Sequence, residues 1–148
     1  MLFIENGKTL PHADKQTTLR MKYGHDNKDN ACTEYRIDKL KTITNYGVVT
    51  TGMWVHPRHP EPACSPDGLV FDLTMGENKY GLVEIKCPAL LQNNHPLEIQ
   101  TCLNWQQLNN FCCKVKKGKF NLKTNHKYYY QIQMQLGICD LKWCAFII

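Results

Sequence analysis

The chain has 148 residues, 43% of them hydrophobic, which is the length and composition of one ordinary domain with a single core. Its formal net charge of +5 suits a polyanionic partner without requiring one. No apolar run approaches the roughly 18 residues that span a bilayer, and the first residues lack the basic flank and long apolar stretch of a secretory signal. We therefore expect one domain over residues 1–148, with no membrane partner.

The eight cysteines predict thiols rather than disulfides. They occur singly or as the adjacent pair Cys112-Cys113, with no CxxC motif and no regular spacing. Reduced thiols indicate an intracellular, reducing location, in the nucleus or the cytoplasm. The chain ends in the apolar segment LKWCAFII without a polar tail, a feature that a fragment or a truncated product of a longer gene would also show.

The first half of the chain predicts helix followed by extended chain. Segment 17–40 carries loosely helical apolar spacing that Gly24 interrupts, which predicts one broken helix or two short helices. The β-branched and aromatic residues of segment 43–55 predict extended chain. Three prolines exclude regular structure from segment 56–62.

The second half begins with the clearest pattern. Two β-rich apolar runs of segment 67–86 flank a polar centre with glycine, which predicts a β-hairpin. Helical spacing is weak in segment 97–110, and the lysine-dense segment 114–127 predicts a loop or a short hairpin. Segment 128–137 predicts a helix and segment 141–148 a buried strand. One face of that helix carries Tyr128, Gln131 and Gln135.

Charged residues inside the predicted hairpin indicate a candidate site. Because side chains alternate along a strand, Glu84 and Lys86 share one face while Val83 and Ile85 point to the other. A charged pair within an apolar strand either lies at a sheet edge or serves a purpose. Asp67 enters the partner strand, so pairing across the hairpin would bring its carboxylate close to Glu84.

This arrangement suits metal-assisted hydrolysis of a phosphodiester. Two neighbouring carboxylates favour a cation between them, and such oxygen ligands suit Mg²⁺ or Mn²⁺. The metal polarises phosphoryl oxygens and acidifies the attacking water, while Lys86 orients that water or stabilises developing negative charge. From charges and spacing alone, the simpler interpretation is a surface hairpin with an exposed Glu84–Lys86 ion pair, worth no more than about 1 kcal/mol.

Three blocks of the sequence resemble the YqaJ-like viral recombinase or lambda exonuclease family, part of the PD-(D/E)XK nuclease superfamily. The blocks are SPDG at Ser65 to Gly68, GLVEIKCP at Gly81 to Pro88, and YYYQIQMQLGI at Tyr128 to Ile138. The upstream MKYG at Met21 to Gly24 and the later WVHPRHP segment also match. The resemblance therefore covers most of the chain.

The resemblance implies an α/β fold with the αβββαβ core of restriction endonucleases, in which helices flank a mixed central sheet. It implies that Asp67, Glu84 and the Ile85 carbonyl hold Mg²⁺ or Mn²⁺. It also implies a catalytic role for Lys86 and a supporting role for Gln131.

The implied function is that of a metal-dependent DNA nuclease. The most specific form is a double-strand exonuclease of viral or mobile-element recombination, which acts on duplex ends and works with a single-strand annealing recombinase. Two alternatives stay open. One is a nuclease-fold DNA-binding module with impaired catalysis, and the other is a restriction-type endonuclease with the same site.

Position 28 departs from the family pattern. The family usually has a glutamate four residues after the glycine that corresponds to Gly24, on the first helix and aimed at the metal, and this chain has Lys28 there. The neighbours Asp26 and Asp29 are rotated by about 100° or more from position 28 on a helix. We expect the third acid to be missing, the Lys28 stem to turn into solvent, and activity in Mg²⁺ to be weak or absent.

Candidate DNA contacts lie in the lysine-dense segment and near the predicted site. Lysines interleaved with Phe120 and followed by three tyrosines suit gripping phosphates and stacking bases, and a solvated loop is the equal alternative. The candidates are Ser65, Lys116, Lys117, Lys119 and Tyr128.

Two other chemistries have weaker support. His56, His59 and Cys64 form a possible zinc spacing without a fourth ligand. A cysteine nucleophile would need a paired histidine and an orienting acid, and nothing selects one of the eight thiols.

Overall fold

The structure is a computed structural model that describes residues 15–93, 98–116 and 119–148. The α-helices in these ranges are α1 (Lys15–Asp26), α2 (Lys28–Leu40), α3 (Ile99–Cys102), α4 (Trp105–Asn110) and α5 (Lys127–Cys139). The strands are β1 (Tyr46–Val49), β2 (Trp54–Val55), β3 (Ala63–Cys64), β4 (Gly68–Asp72), β5 (Tyr80–Ile85), β6 (Cys113–Lys116), β7 (Lys119–Leu122) and β8 (Cys144–Ile147). Short 3-10 turns lie in Leu73–Asn78, where the backbone of Gly76 (φ 57°, ψ −123°) is not helical, and in Ala89–Leu91.

The central sheet has the strand order β1-β4-β5-β8. The first three strands are antiparallel, and β8 runs parallel to β5, so the sheet is mixed. A parallel neighbour requires a long crossover, and α5 lies in that connection. The elements α2, β1, β4, β5, α5 and β8 follow one another along the chain, which confirms the αβββαβ order.

The predicted hairpin is confirmed as β4 and β5. Their register pairs Gly68 with Val83 as the last matched residues. Asp67 precedes Gly68 and Glu84 follows Val83, so the two acids take facing positions one residue beyond the paired ladder.

The two faces of the sheet bury different side chains. Val70, Val83 and Ile85 point into a core that includes Tyr46 and Tyr35, the latter from α2. Glu84, on the opposite face, meets α5. A second apolar cluster contains α3 and its neighbours and packs against the start of α5 and the end of β8. Its buried members are Leu91, Ile99, Leu103, Phe111, Cys112 and Cys113.

Other predicted elements also form. Segment 56–62 has no helix or strand, β6 and β7 make the short hairpin predicted for the lysine-dense segment, and α3 and α4 lie within segment 97–110. Residues 94–97 lie outside the described part of the chain. No helix of the described ranges is long and apolar enough to cross a membrane.

Two expectations about local structure were wrong. Segment 17–40 does form two helices as predicted, but the break is not at Gly24, because α1 continues to Asp26 and α2 starts at Lys28. A Cβ atom at Gly24 would lie 3.3 Å from the carbonyl oxygen of Cys87, so the glycine permits close packing rather than a helix end. Strand β8 is half-buried rather than buried, because it lies at the edge of the sheet.

Candidate active site

Asp67 connects β5 to the start of α2. Its Oδ2 accepts the Ile85 backbone N–H at 2.7 Å, and its Oδ1 accepts the Lys28 ammonium at 2.6 Å. The β4–β5 ladder stops at Gly68, so the carboxylate takes the place of a backbone acceptor for Ile85. Both carboxylate oxygens therefore have a donor from this chain.

Glu84 is a buried carboxylate with three donors. Its side chain is 2% exposed, and its Oε1 accepts from Lys86 Nζ at 2.5 Å and Gln131 Nε2 at 2.8 Å. Its Oε2 accepts from Gln135 Nε2 at 2.9 Å. A buried charge is stable when it is paired and hydrogen-bonded in this way. The structure thus brings together Glu84 and Lys86, which strand alternation placed side by side, and Gln131, which the family resemblance implied.

Tyr128 supports Lys86 at the start of α5. The Lys86 ammonium lies 4.8 Å from the centre of the Tyr128 ring, a favourable cation–π distance. The ring itself packs against His126 and Phe146 at centroid distances of 4.7 Å and 6.1 Å. The role of Tyr128 as a DNA contact stays a prediction, and in the structure its ring contacts the Lys86 ammonium.

His126 caps α5. Its Nδ1 accepts the backbone N–H of Tyr128 at 3.2 Å, which requires a ring nitrogen without a proton. Burial lowers the pKa of His126, and the positive charges of Lys127 and Lys123 lower it further. The imidazole is therefore held neutral, in the form that can cap the helix.

The sequence suggested that the Lys28 side chain turns into solvent, and this expectation was wrong. Lys28 pairs with Asp67, because a partly buried carboxylate lies within reach of its stem. Of the acids that neighbour Lys28 in sequence, Asp26 pairs with Lys22 at 2.6 Å. In the described residues no group of three or more His, Cys, Asp or Glu side chains could hold a metal ion.

The remaining donor set is compatible with Mg²⁺ or Mn²⁺ under one condition. Asp67, Glu84 and the Ile85 backbone are hard oxygen ligands of the type that these ions prefer. The Lys28 ammonium, however, is bound to Asp67 Oδ1. The site therefore fits a divalent cation once Lys28 is displaced from that oxygen, with Glu84 shared between the cation and its donors Lys86, Gln131 and Gln135.

A cleft of about 1510 Å³ opens between α1, α4 and the start of α5. Its lining includes no Asp or Glu among the described residues, and the Asp67 and Glu84 carboxylates do not line it. Its cationic lining residues are Arg20, Lys28, Lys86 and Lys127, with His25 and His126 beside them. Lys127 is one of the lysines of the lysine-dense segment that the sequence indicated as suited to gripping phosphates, whereas nothing in the sequence indicated Arg20.

The other predicted DNA contacts lie elsewhere. Lys116 and Lys119 face each other across the β6–β7 hairpin and do not line the cleft, while Lys117 lies outside the described residues. Ser65 is exposed beside the Pro66-Asp67 pair. Lys123 has a structural contact, because its ammonium donates to the carbonyls of Leu108 and Asn109 near the end of α4, at 3.1 Å and 2.9 Å.

The zinc hypothesis finds no support in the described residues. The Nδ1 atom of His56 accepts the backbone N–H groups of Arg58 and His59 at 3.2 Å and 3.0 Å, so it stabilises the local turn. Cys64 lies 3.8 Å from Cys139, sulfur to sulfur, and not in a cluster with the two histidines that could hold a metal.

Five of the cysteines are poor candidates for a nucleophile, because burial raises the pKa of each thiol. Burial raises the pKa of Cys139 and of Cys144 to about 12. Burial also raises the pKa of Cys32, Cys64 and Cys87. These thiols are therefore protonated at neutral pH, whereas the thiolate is the reactive form.

Comparison with known proteins agrees with this architecture. The family model described as YqaJ-like viral recombinase domain matches residues 2–142. The crystal structure of an alkaline exonuclease (LHK-Exo) from Laribacter hongkongensis is similar at 27% identity and a TM-score of 0.50, and the same protein in complex with dAMP at 27% and 0.51. In both cases the alignment covers 86% of this chain and 48% of the exonuclease, so this chain spans about half of that protein.

A search of curated protein sequences gave no match. The family model nevertheless extends over all the elements of the site, from α1 through α5. The chain belongs to the YqaJ-like viral recombinase domain family.

Proposed function

We propose that this chain is a metal-dependent DNA nuclease that removes nucleotides from the ends of duplex DNA during viral or mobile-element recombination. The observation that carries this proposal is the facing pair Asp67 and Glu84, with Lys86 and Gln131 bound to Glu84. The similarity to an alkaline exonuclease, one structure of which contains dAMP, supports the same chemistry.

The residues divide into binding and orienting roles. Asp67, Glu84 and the Ile85 backbone would hold Mg²⁺ or Mn²⁺, which when bound supplies polarisation of the phosphoryl group and an acidic water. Lys86 can donate to an anionic phosphate oxygen, because it keeps N–H donors besides the one on Glu84. Gln131 fixes the Glu84 carboxylate in one orientation.

The cleft favours a polymeric anion as substrate. Pockets for small ligands have volumes of roughly 300–1,000 Å³, and this cleft is larger at about 1510 Å³. Its cationic lining suits a phosphate backbone. A single-strand annealing recombinase as partner is part of the same proposal and rests on family membership.

The decisive experiment uses end-labelled linear duplexes and closed circular duplexes, with and without Mg²⁺. We expect a weak, Mg²⁺-dependent loss of nucleotides from linear DNA, weak because Lys28 competes for Asp67, and no cleavage of circles. Cleavage should be abolished by each of the single substitutions Asp67→Ala, Glu84→Ala and Lys86→Ala. The triple variant should lose little more activity than a single variant, because the three residues serve one site. Asp38→Ala is the control, since Asp38 is an exposed acid of α2 paired with Lys41.

Two results would change the assignment. Full cleavage by a folded Glu84→Ala protein would refute a nuclease site at these residues. Cleavage of closed circles would instead indicate an endonuclease with the same site.

A DNA-binding module without catalysis is the second candidate, and the Lys28–Asp67 ion pair favours it. In that case the natural protein would bind DNA but would not bind Mn²⁺ measurably. Mn²⁺ titration of the purified protein separates the two candidates.

A further inference from the structure

The site presents ammonium groups, rather than carboxylates, to the cleft. Lys28 and Lys86 line the cleft, whereas Asp67 and Glu84 do not. Side-chain exposure follows the same order within each ion pair: 34% for Lys28 against 19% for Asp67, and 19% for Lys86 against 2% for Glu84. A ligand that enters the cleft therefore meets the cations first.

Each ammonium keeps donors for such a ligand. A lysine ammonium has three N–H donors, and Lys28 and Lys86 each give one to a carboxylate oxygen. The carboxylates also hold the two long lysine side chains in place, so that less side-chain conformational entropy is lost when a ligand binds. The charges within each of the two ion pairs cancel. Arg20 and Lys127 line the same cleft and give its lining a positive net charge.

We propose that Lys28 and Lys86 together form a phosphate-binding site that works without a metal ion. The ligand is a phosphate group of DNA, and in this respect the inference rests on the proposed function. The phosphate is either a terminal monoester or an internal diester, since both present anionic oxygens to the ammonium groups. Lys28 thus replaces an acid of the family pattern with a group that binds the substrate directly.

The test measures DNA binding in EDTA, where metal-dependent cleavage cannot occur. Fluorescence anisotropy is recorded for duplex oligonucleotides with a 5′-phosphate or a 5′-hydroxyl, at several salt concentrations. Lys28→Gln and Lys86→Gln should each weaken binding by at least about tenfold, the loss expected for a hydrogen bond to a charged group. Each should also lower the salt slope by about 0.9, because one phosphate is then no longer neutralised. Lys28→Arg should retain binding, because it keeps the charge.

Lys22→Gln is the matched control. Lys22 is also an ion-paired lysine, six positions before Lys28, and it does not line the cleft. Thermal unfolding of each variant confirms that the fold is intact. If Lys28→Gln and Lys22→Gln bind alike with equal salt slopes, the proposal is overturned.

The two oligonucleotides separate the two phosphate sources. A loss confined to the 5′-phosphorylated duplex supports a terminal monoester, and equal losses for both support an internal diester. The result is independent of catalysis. Binding in EDTA that depends on Lys28, without any cleavage in Mg²⁺, would refute only the nuclease proposal. Cleavage in Mg²⁺, with binding in EDTA that does not depend on Lys28, would refute only the phosphate site.

Discussion

The Lys28 ammonium lies 2.6 Å from Oδ1 of Asp67, while the other Asp67 oxygen accepts the Ile85 N–H at 2.7 Å. A divalent cation that uses Asp67 must therefore compete with an ammonium of this chain. This ion pair joins the start of α2 to the start of β4 across 39 positions of sequence. If the site holds a metal as proposed, the charge at position 28 sets how strongly Asp67 can contribute to binding it.

The first prediction is that Lys28→Glu raises both metal affinity and cleavage by at least about tenfold, or roughly 1.4 kcal/mol. The substitution replaces a competing cation with a potential ligand. Two unit charges at about 4 Å interact by about 4 kcal/mol at an effective dielectric near 20, so reversing one charge is a large change. Mn²⁺ titration and single-turnover cleavage of both proteins measure the effect. Unchanged values for both would show that position 28 does not control the metal.

The second prediction separates two basic surfaces. Arg20→Gln combined with Lys127→Gln should weaken binding to all DNA sequences alike and reduce the salt slope by about 0.9 for each phosphate that the variant no longer neutralises. Substituting Gln for Lys116, Lys117 and Lys119 should act in the same direction but less, because Lys116 and Lys119 do not line the cleft. Binding titrations over a range of salt concentrations measure both slopes. An unchanged slope for the hairpin variant would show that the hairpin faces away from the substrate.

The third prediction concerns pH. The pKa of His126 lies below its ordinary value of 6.5, chiefly through burial and secondly through Lys127 and Lys123. As the pH falls below about 6.5, the imidazole takes up a proton in the unfolded chain before it does so in the folded chain. The contribution of His126 to the stability of the fold is therefore complete above about pH 6.5 and decreases below it. Melting temperatures should therefore fall more steeply between about pH 7 and pH 5 in the natural protein than in His126→Ser, whose hydroxyl caps without titrating. Parallel curves would contradict this role.

Local patterns in the sequence predicted the core of the site. Alternation along β5 placed Glu84 and Lys86 on one face, and the register of the hairpin brings Asp67 opposite Glu84. The helical period of α5 placed Gln131 and Gln135 on one face, and the family resemblance implied that this face turns to the site, where both amides donate to Glu84. Strand alternation and helical period depend on neighbours within one hairpin or one helix, so the sequence alone could predict them, whereas the approach of α5 to Glu84 joins positions 47 and 51 residues apart.

Contacts between distant segments could not be predicted in this way. Lys28 reaches Asp67 because α2 packs on the same end of the sheet, a fact of tertiary packing that no local period encodes. Arg20 lines the cleft for a similar reason. Gly24 was misread because its role is to permit close approach to Cys87, which is distant in sequence.

Gln135 differs from Gln131 in how deeply it is buried. It is 2% exposed, and its Nε2 donates to Glu84 Oε2 at 2.9 Å. Its Oε1 is buried and has no hydrogen-bond partner among the described residues. An unpaired buried acceptor is unfavourable, so an apolar side chain would suit the position better if packing alone decided it. The orientation of the amide is fixed, because an ionised carboxylate can only accept.

The fourth prediction is that Gln135 positions Glu84 for the proposed reaction. Gln135→Leu should lower kcat for Mg²⁺-dependent cleavage by at least about tenfold and leave KM for DNA nearly unchanged, because a hydrogen bond to a charged group is worth about 1.5–3 kcal/mol. Gln135→Glu should be more severe, since two carboxylates would then repel each other. Gln133→Leu is the control, because Gln133 is exposed on the same helix. Equal rates for Gln135→Leu and Gln133→Leu, measured well below their melting temperatures, would show that Glu84 does not depend on Gln135.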